Sequence, residues 1–198
     1  TSAGSLTMSG GDLTSTSGAV AITGAVNISA VGSAIDFGSE AWTVSGAFDC
    51  ESTDTAVWEA GTGSILFDSA TGDSTFTPCN FTTENQLFAP EFDSSATTAQ
   101  TWTLVTRTLV FGGTMTIEDG GAEAVSNVLD TGLSIAITGG AFTIGTGGTL
   151  AANASTITVN GNFNSSAGTF TIGTSTVVIA AASTVTTPSD RTTNRFYN

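Results

Sequence analysis

Seventeen carboxylates, three arginines and neither histidine nor lysine define the chemistry open to this 198-residue chain. Without His or Lys, the commonest general bases and the Schiff-base nucleophile are missing. The bases are Arg107, Arg191 and Arg195. A carboxylate pair could still act as a glycosidase, but no pair stands out from the seventeen by its spacing. The expectation is a protein that is not an enzyme.

Metal chemistry is little better served. Two cysteines without His and without a Cys-x-x-Cys spacing argue against a zinc site. The clusters Asp49-Cys50-Glu51-Ser52-Thr53-Asp54 and Glu118-Asp119 are rich in oxygen and could hold a structural Ca2+, although neither follows a calcium-loop pattern. No other cofactor is expected.

A net charge of −14 removes two classes of partner. No basic patch can be assembled to displace counterions from nucleic acid, and none to dock on anionic lipid. No apolar run approaches the roughly 20 residues that span a bilayer, so membrane insertion is not expected. The sequence has no initiator Met, and the expectation is a piece of a longer or processed protein.

The elements that must carry these residues are read from an internal repeat. Ile22 to Phe48 and Ile137 to Phe163 superpose without gaps at an offset of 115 residues. Trp42-Thr43-Val44-x-Gly46-x-Phe48 then falls on Ile157-Thr158-Val159-x-Gly161-x-Phe163. The likeness divides the chain into a long unit of roughly 110 residues, 22–134, and a truncated second unit, 137–198. Cys50 and Cys79 fall opposite Ser165 and Ser189, so one copy has both thiols and the other neither. That pairing suggests a Cys50–Cys79 disulfide and an oxidising, extracellular setting. Two independent buried cysteines are the alternative.

Apolar residues come in twos and threes that alternate with Thr, Ser, Asn or Asp, as in Leu6-Thr7-Met8, Phe142-Thr143-Ile144 and Phe170-Thr171-Ile172. Such runs predict short strands with one buried face, separated by Gly and polar turn residues. Ser and Thr make 61 of the 198 residues, which suits outward strand positions and disfavours helices. The fold expected is all-β: a parallel β-solenoid (β-helix) running continuously over residues 1–198. About 20 residues per coil would give about nine to ten coils stacked at about 4.8 Å. Two stretches break the rhythm. Residues 84–101, with Pro90 and three acids, read as a loop leaving the coil. Residues 118–132 read as one or two helical turns, with Val125, Val128 and Leu129 on one side.

Asn27, Asn80, Asn153 and Asn164 each open an N-x-[ST] sequon and are candidate glycosylation sites. Six Thr-x-Thr motifs with an apolar middle residue, among them Thr101-Trp102-Thr103 and Thr156-Ile157-Thr158, raise an ice-binding alternative, since ranks of Thr on a flat face would present ordered hydroxyls. The run Gly-Thr-Ser-Thr-Val-Val-Ile at 173–179, followed by Ser-Thr-Val-Thr and Asn-Arg-Phe-Tyr-Asn, resembles repeats of giant secreted proteins of environmental bacteria, archaea and their phages. The resemblance implies a surface or fibre protein built of β-solenoid repeats, and it carries over no catalytic or binding residue.

The functional expectation is a structural segment or subunit of an extracellular fibre, filament or surface adhesin, on a cell or virion. It would assemble end to end with copies of itself or adjoining repeats, with Leu6 and Met8 at one end and Phe196 and Tyr197 at the other. The alternative is a module that binds surface glycans or a receptor through the 84–101 stretch, near Phe88 or Phe92.

Overall fold

The computed structural model describes residues 2–29, 33–51, 58–59, 61–69, 72–80, 86–94, 97–120, 126–132 and 134–188. Among these there is no helix, and the strands pair in parallel throughout. The chain winds as a β-solenoid of about seven turns at a spacing of about 22 residues.

Three coils open the chain, each of three strands: β1 (Ser2–Ala3), β2 (Leu6–Met8) and β3 (Gly11–Thr14); β4 (Val20–Ile22), β5 (Val26–Ile28) and β6 (Ser33–Asp36); β7 (Trp42–Val44), β8 (Phe48–Cys50) and β9 (Trp58–Glu59). Next come β10 (Ser64–Phe67), β11 (Ser74–Thr77), β12 (Ala89–Phe92) and β13 (Gln100–Leu104). Then follow β14 (Leu109–Ile117), β15 (Asn127–Asp130), β16 (Ala136–Ile144) and β17 (Gly148–Ala151). The described strands end with β18 (Thr156–Val159), β19 (Phe163–Asn164), β20 (Thr169–Thr171), β21 (Thr176–Ile179) and β22 (Val185–Thr186).

Side two is the simplest wall, an eight-stranded ladder β2-β5-β8-β11-β13-β15-β17-β20. Side one runs β1-β4-β7-β10-β12 and continues through the second halves of β14 and β16 to β19 and β22. Side three begins as β3-β6-β9. It resumes at Leu87, bridged to Phe111, and passes through the first halves of β14 and β16 to β18 and β21. Thus β14 and β16 each turn a corner without a break, at Gly112-Gly113 and Gly139-Gly140. Coil length varies at the corners, from 19 residues between Ser2 and Ala21 to 28 between Phe48 and Phe76. That is why the turns are longer and fewer than an even 20-residue count gives.

Strand alternation puts one side chain inward and the next outward, and the inward set fills the tube. Ile65, Phe67, Phe92, Met115, Ile117, Phe142 and Phe163 along side one are each no more than 2 % exposed. Aromatic rings stack along the axis where register aligns them. Phe67 and Phe92 are ladder partners, with centroids 4.9 Å apart and planes at 16°, and Phe142 and Phe163 lie 6.0 Å apart. Such pairs add about 0.5–1.5 kcal/mol beyond their buried area.

Two sequence expectations are corrected here. The stretch 84–101 does not leave the coil where it is described: Leu87, β12 and the start of β13 are wall. Pro90 sits in the ladder opposite Ile65. Proline lacks one donor, and the neighbouring residues of β12 supply the remaining bonds on both flanks. The stretch 118–132 is likewise not helical where described. Residues 127–130 are the strand β15, held between Gln100–Thr103 and Gly148–Ala151, and Leu129 is buried. One or two isolated helical turns have only their own few hydrogen bonds, whereas this strand is bonded on both edges. Val125 lies outside the described residues.

The 115-residue likeness also acquires a geometric meaning. It lays Trp42, on side one, over Ile157, on side three, and Phe48, on side two, over Phe163, on side one. What recurs is a strand, a glycine corner and a strand, rotated by one side. The glycine is required by closeness: a Cβ on Gly46 would come within 2.8 Å of the Gly24 and Ala25 backbone in the coil below.

Candidate functional site

The corner between sides two and three joins the two cysteines to Arg107. Cys50 ends β8 and Cys79 follows β11 one coil on, and the two are disulfide-bonded with Cα atoms 4.8 Å apart. Both are fully buried. From the next coil, the Arg107 guanidinium donates to the Cys50 carbonyl at 2.8 Å and the Glu51 carbonyl at 3.0 Å. Three coils are therefore tied at one corner. It is the stretch where side three passes from the β3-β6-β9 ladder to the one that starts at Leu87.

The corner between sides one and two gathers acids. Asp93 and Glu118 follow β12 and β14, which are ladder partners, and Glu91 lies outward on β12. Burial, then the Glu118 charge, then that of Asp93, holds the Glu91 carboxyl above its ordinary value. Asp93 Oδ1 accepts from the Gly120 amide at 3.0 Å and from Asn127 Nδ2 at 3.4 Å. Asn127 Nδ2 also donates to the Glu118 carbonyl at 2.9 Å. The Asp93 carboxylate thus splices one coil to the next. Among the described residues no group of three or more His, Cys, Asp or Glu is placed to hold a metal ion. In the other oxygen-rich cluster, Asp49 faces outward between Asn27 and Thr77, Glu51 is exposed, and Ser52, Thr53 and Asp54 lie outside the described residues.

The four sequon asparagines differ in setting. Asn27 is exposed on the outward face of β5, and Asn80 is exposed just after Cys79. Asn164 is half-buried, and its Oδ1 accepts from the Ser166 amide at 3.1 Å and the Ser166 hydroxyl at 2.7 Å. Asn153 occupies a left-handed corner with φ 49°, and its Nδ2 donates to Asp130 Oδ1 at 2.6 Å. One coil to either side the same corner is made by Gly132 (φ 69°) and Gly173 (φ 58°). Asparagine is among the few residues other than glycine that adopt this conformation readily.

The two phenylalanines proposed to meet a ligand separate. Phe92 is fully buried in the tube, so it cannot touch one; Phe88 is 38 % exposed, its ring against Gly113. Phe88 sits at the bend between Leu87 on side three and β12 on side one, outside the strand whose alternation turns Phe92 inward.

At the ends, Met8 is 7 % exposed and Leu6 half-buried. Phe196 and Tyr197 lie outside the described residues. The apolar side chains left open at that end are instead Val178 (40 %), Ile179 (37 %) and Val185 (43 %). Sequence reasoning passed over them, since nothing in a run such as Thr-Val-Val-Ile tells a last coil from an inner one. At the first coil, a cavity of about 290 Å³ is lined by Leu6, Leu13, Val20, Ile22 and Trp42 and rimmed by Thr14 to Ser17.

The six Thr-x-Thr motifs do not form one plane. Those at 75, 101 and 169 lie on side two, those at 114 and 184 on side one, and that at 156 on side three. On side two the columns are interrupted by Val128, Asp130 and Ala151. No family model, no curated protein and no solved structure matches the chain.

Proposed function

We propose that the chain is a non-enzymatic structural segment or subunit of an extracellular fibre, filament or surface adhesin, assembling end to end by strand stacking. The observation that supports it most is the side-two ladder, eight parallel strands without interruption around a filled apolar tube. Load along the axis is then shared by backbone hydrogen bonds and core packing, coil against coil. The Cys50–Cys79 bond is consistent with an oxidising compartment. Electron microscopy of the native material tests the reading: rods or filaments are expected, and dispersed particles at high concentration would count against it.

A glycan-binding module is the second reading, and Phe88 favours it. An exposed aromatic ring over Gly113 offers a flat apolar surface of the kind a sugar ring stacks on. Glycan-array binding abolished by Phe88→Ala would support it; binding unchanged by that substitution removes Phe88 from consideration.

A further inference from the structure

We infer that two copies of this chain meet head to tail, with Ile179 and Val185 of one copy seated in the socket formed by Leu6, Leu13 and Val20 of the next. The inference rests on the end-to-end reading above and names its contact and polarity.

Register shows what each end lacks. Leu6, Leu13 and Val20 are only partly buried, yet their ladder partners Val26, Ile35 and Trp42 are at most 2 % exposed. Ile179 and Val185 are 37 % and 43 % exposed, while their partners Val159 and Phe163 are fully buried. Each described end coil thus exposes core positions that are covered in the coil next to it. One end presents a cavity, floored by Trp42. The other presents branched aliphatic side chains of a size to enter it.

Charge is arranged to suit this contact. Of the 17 acids, only Asp12 and Asp190 lie outside residues 36–130, and no charged residue occurs between 131 and 189. The described parts of the two end coils can therefore approach with a single carboxylate, Asp12, between them. The acidic middle repels a neighbour lying alongside. Strand direction selects the polarity: head-to-tail stacking continues parallel pairing, whereas two like ends would meet antiparallel. A heterologous contact of this kind propagates into an open filament.

The test uses Leu13→Asp and Val185→Asp, each placing a carboxylate in one half of the contact. Thermal unfolding checks that each is folded, with Leu13→Asn as a milder second variant. In sedimentation velocity, the unaltered chain is expected to grow with concentration and each variant alone to remain monomeric. An equimolar mixture of the two is expected to stop at dimers, because it retains one intact pair of ends. Filaments that persist in both variants, or folded variants whose mixture stays monomeric, overturn the contact while the unaltered chain still assembles. An unaltered chain that is monomeric at every concentration overturns the end-to-end reading as well.

Discussion

The ring of Phe111 fills the volume that a side chain on Gly139 would need. The two are ladder partners in β14 and β16, and a Cβ built on Gly139 would overlap that ring. Gly139→Ala is therefore expected to cost about 1–3 kcal/mol by overpacking. Phe111→Leu opens space at the same point. Urea unfolding of both single variants and the double should show the double losing less than the sum, with a coupling of about 0.5–3 kcal/mol. Additive losses would mean that the ring and the glycine do not share this space.

Reducing the Cys50–Cys79 bond, which closes a separation of 29 residues, is expected to lower stability by about 3–4 kcal/mol. For a chain of this size that is a fall in Tm of about 7–14 °C. Calorimetry with and without reductant measures it, and alkylation followed by intact mass verifies that both thiols were released. Arg107→Gln, which removes the clamp on the Cys50 and Glu51 carbonyls, should cost about 1.5–3 kcal/mol more.

Glu91 carries a pH dependence with a definite sign. Its folded-state pKa is raised, by burial first and then by Glu118 and Asp93. A carboxyl that binds its proton more tightly when folded contributes stability that is fully present below its unfolded value, near 4.5. That contribution is lost as pH rises through the folded value. Glu91→Gln should accordingly raise Tm at pH 7, and the difference should vanish on acidification below the ordinary carboxylate range. A gain that is independent of pH would locate the effect elsewhere.

Asn153 should tolerate glycine better than alanine. The left-handed corner costs an alanine about 1–2 kcal/mol, while Asn153→Gly loses only the side-chain bonds to Asp130, Thr131 and the Ala151 carbonyl, which alanine loses too. Thermal unfolding of the two variants gives the order. Expressed in a host that glycosylates, Asn27 is expected to be occupied and Asn153 left bare, because the Asn153 amide is held at 2.6 Å from Asp130. Peptide mapping of site occupancy checks this.

The strands were legible wherever inward and outward residues alternate without exception, as in Trp42-Thr43-Val44 or Phe142-Thr143-Ile144. They were misread where a local cue competed. Pro90 signals a loop because it lacks a donor, and the 125, 128, 129 spacing of valine and leucine matches one side of a helix. In both places pairing to strands some 20 to 28 residues away outweighs the local preference, and a local window contains none of those partners.

The candidate site was legible only in part. The acids, cysteines and sequons stand in the sequence by type. Their accessibility does not, since Phe88 and Phe92 look equivalent there, and so do Asn27 and Asn153.

By itself, the order of residues determined a parallel solenoid of short strands, because a period of two with small polar turns satisfies both core and backbone only when wound and stacked. Only the tertiary structure decided which wall each strand joins, that a 115-residue likeness is displaced by one side, and which apolar residues the end coils leave open. Those are matters of register, and register depends on how many residues each corner consumes, which the alternating pattern does not encode.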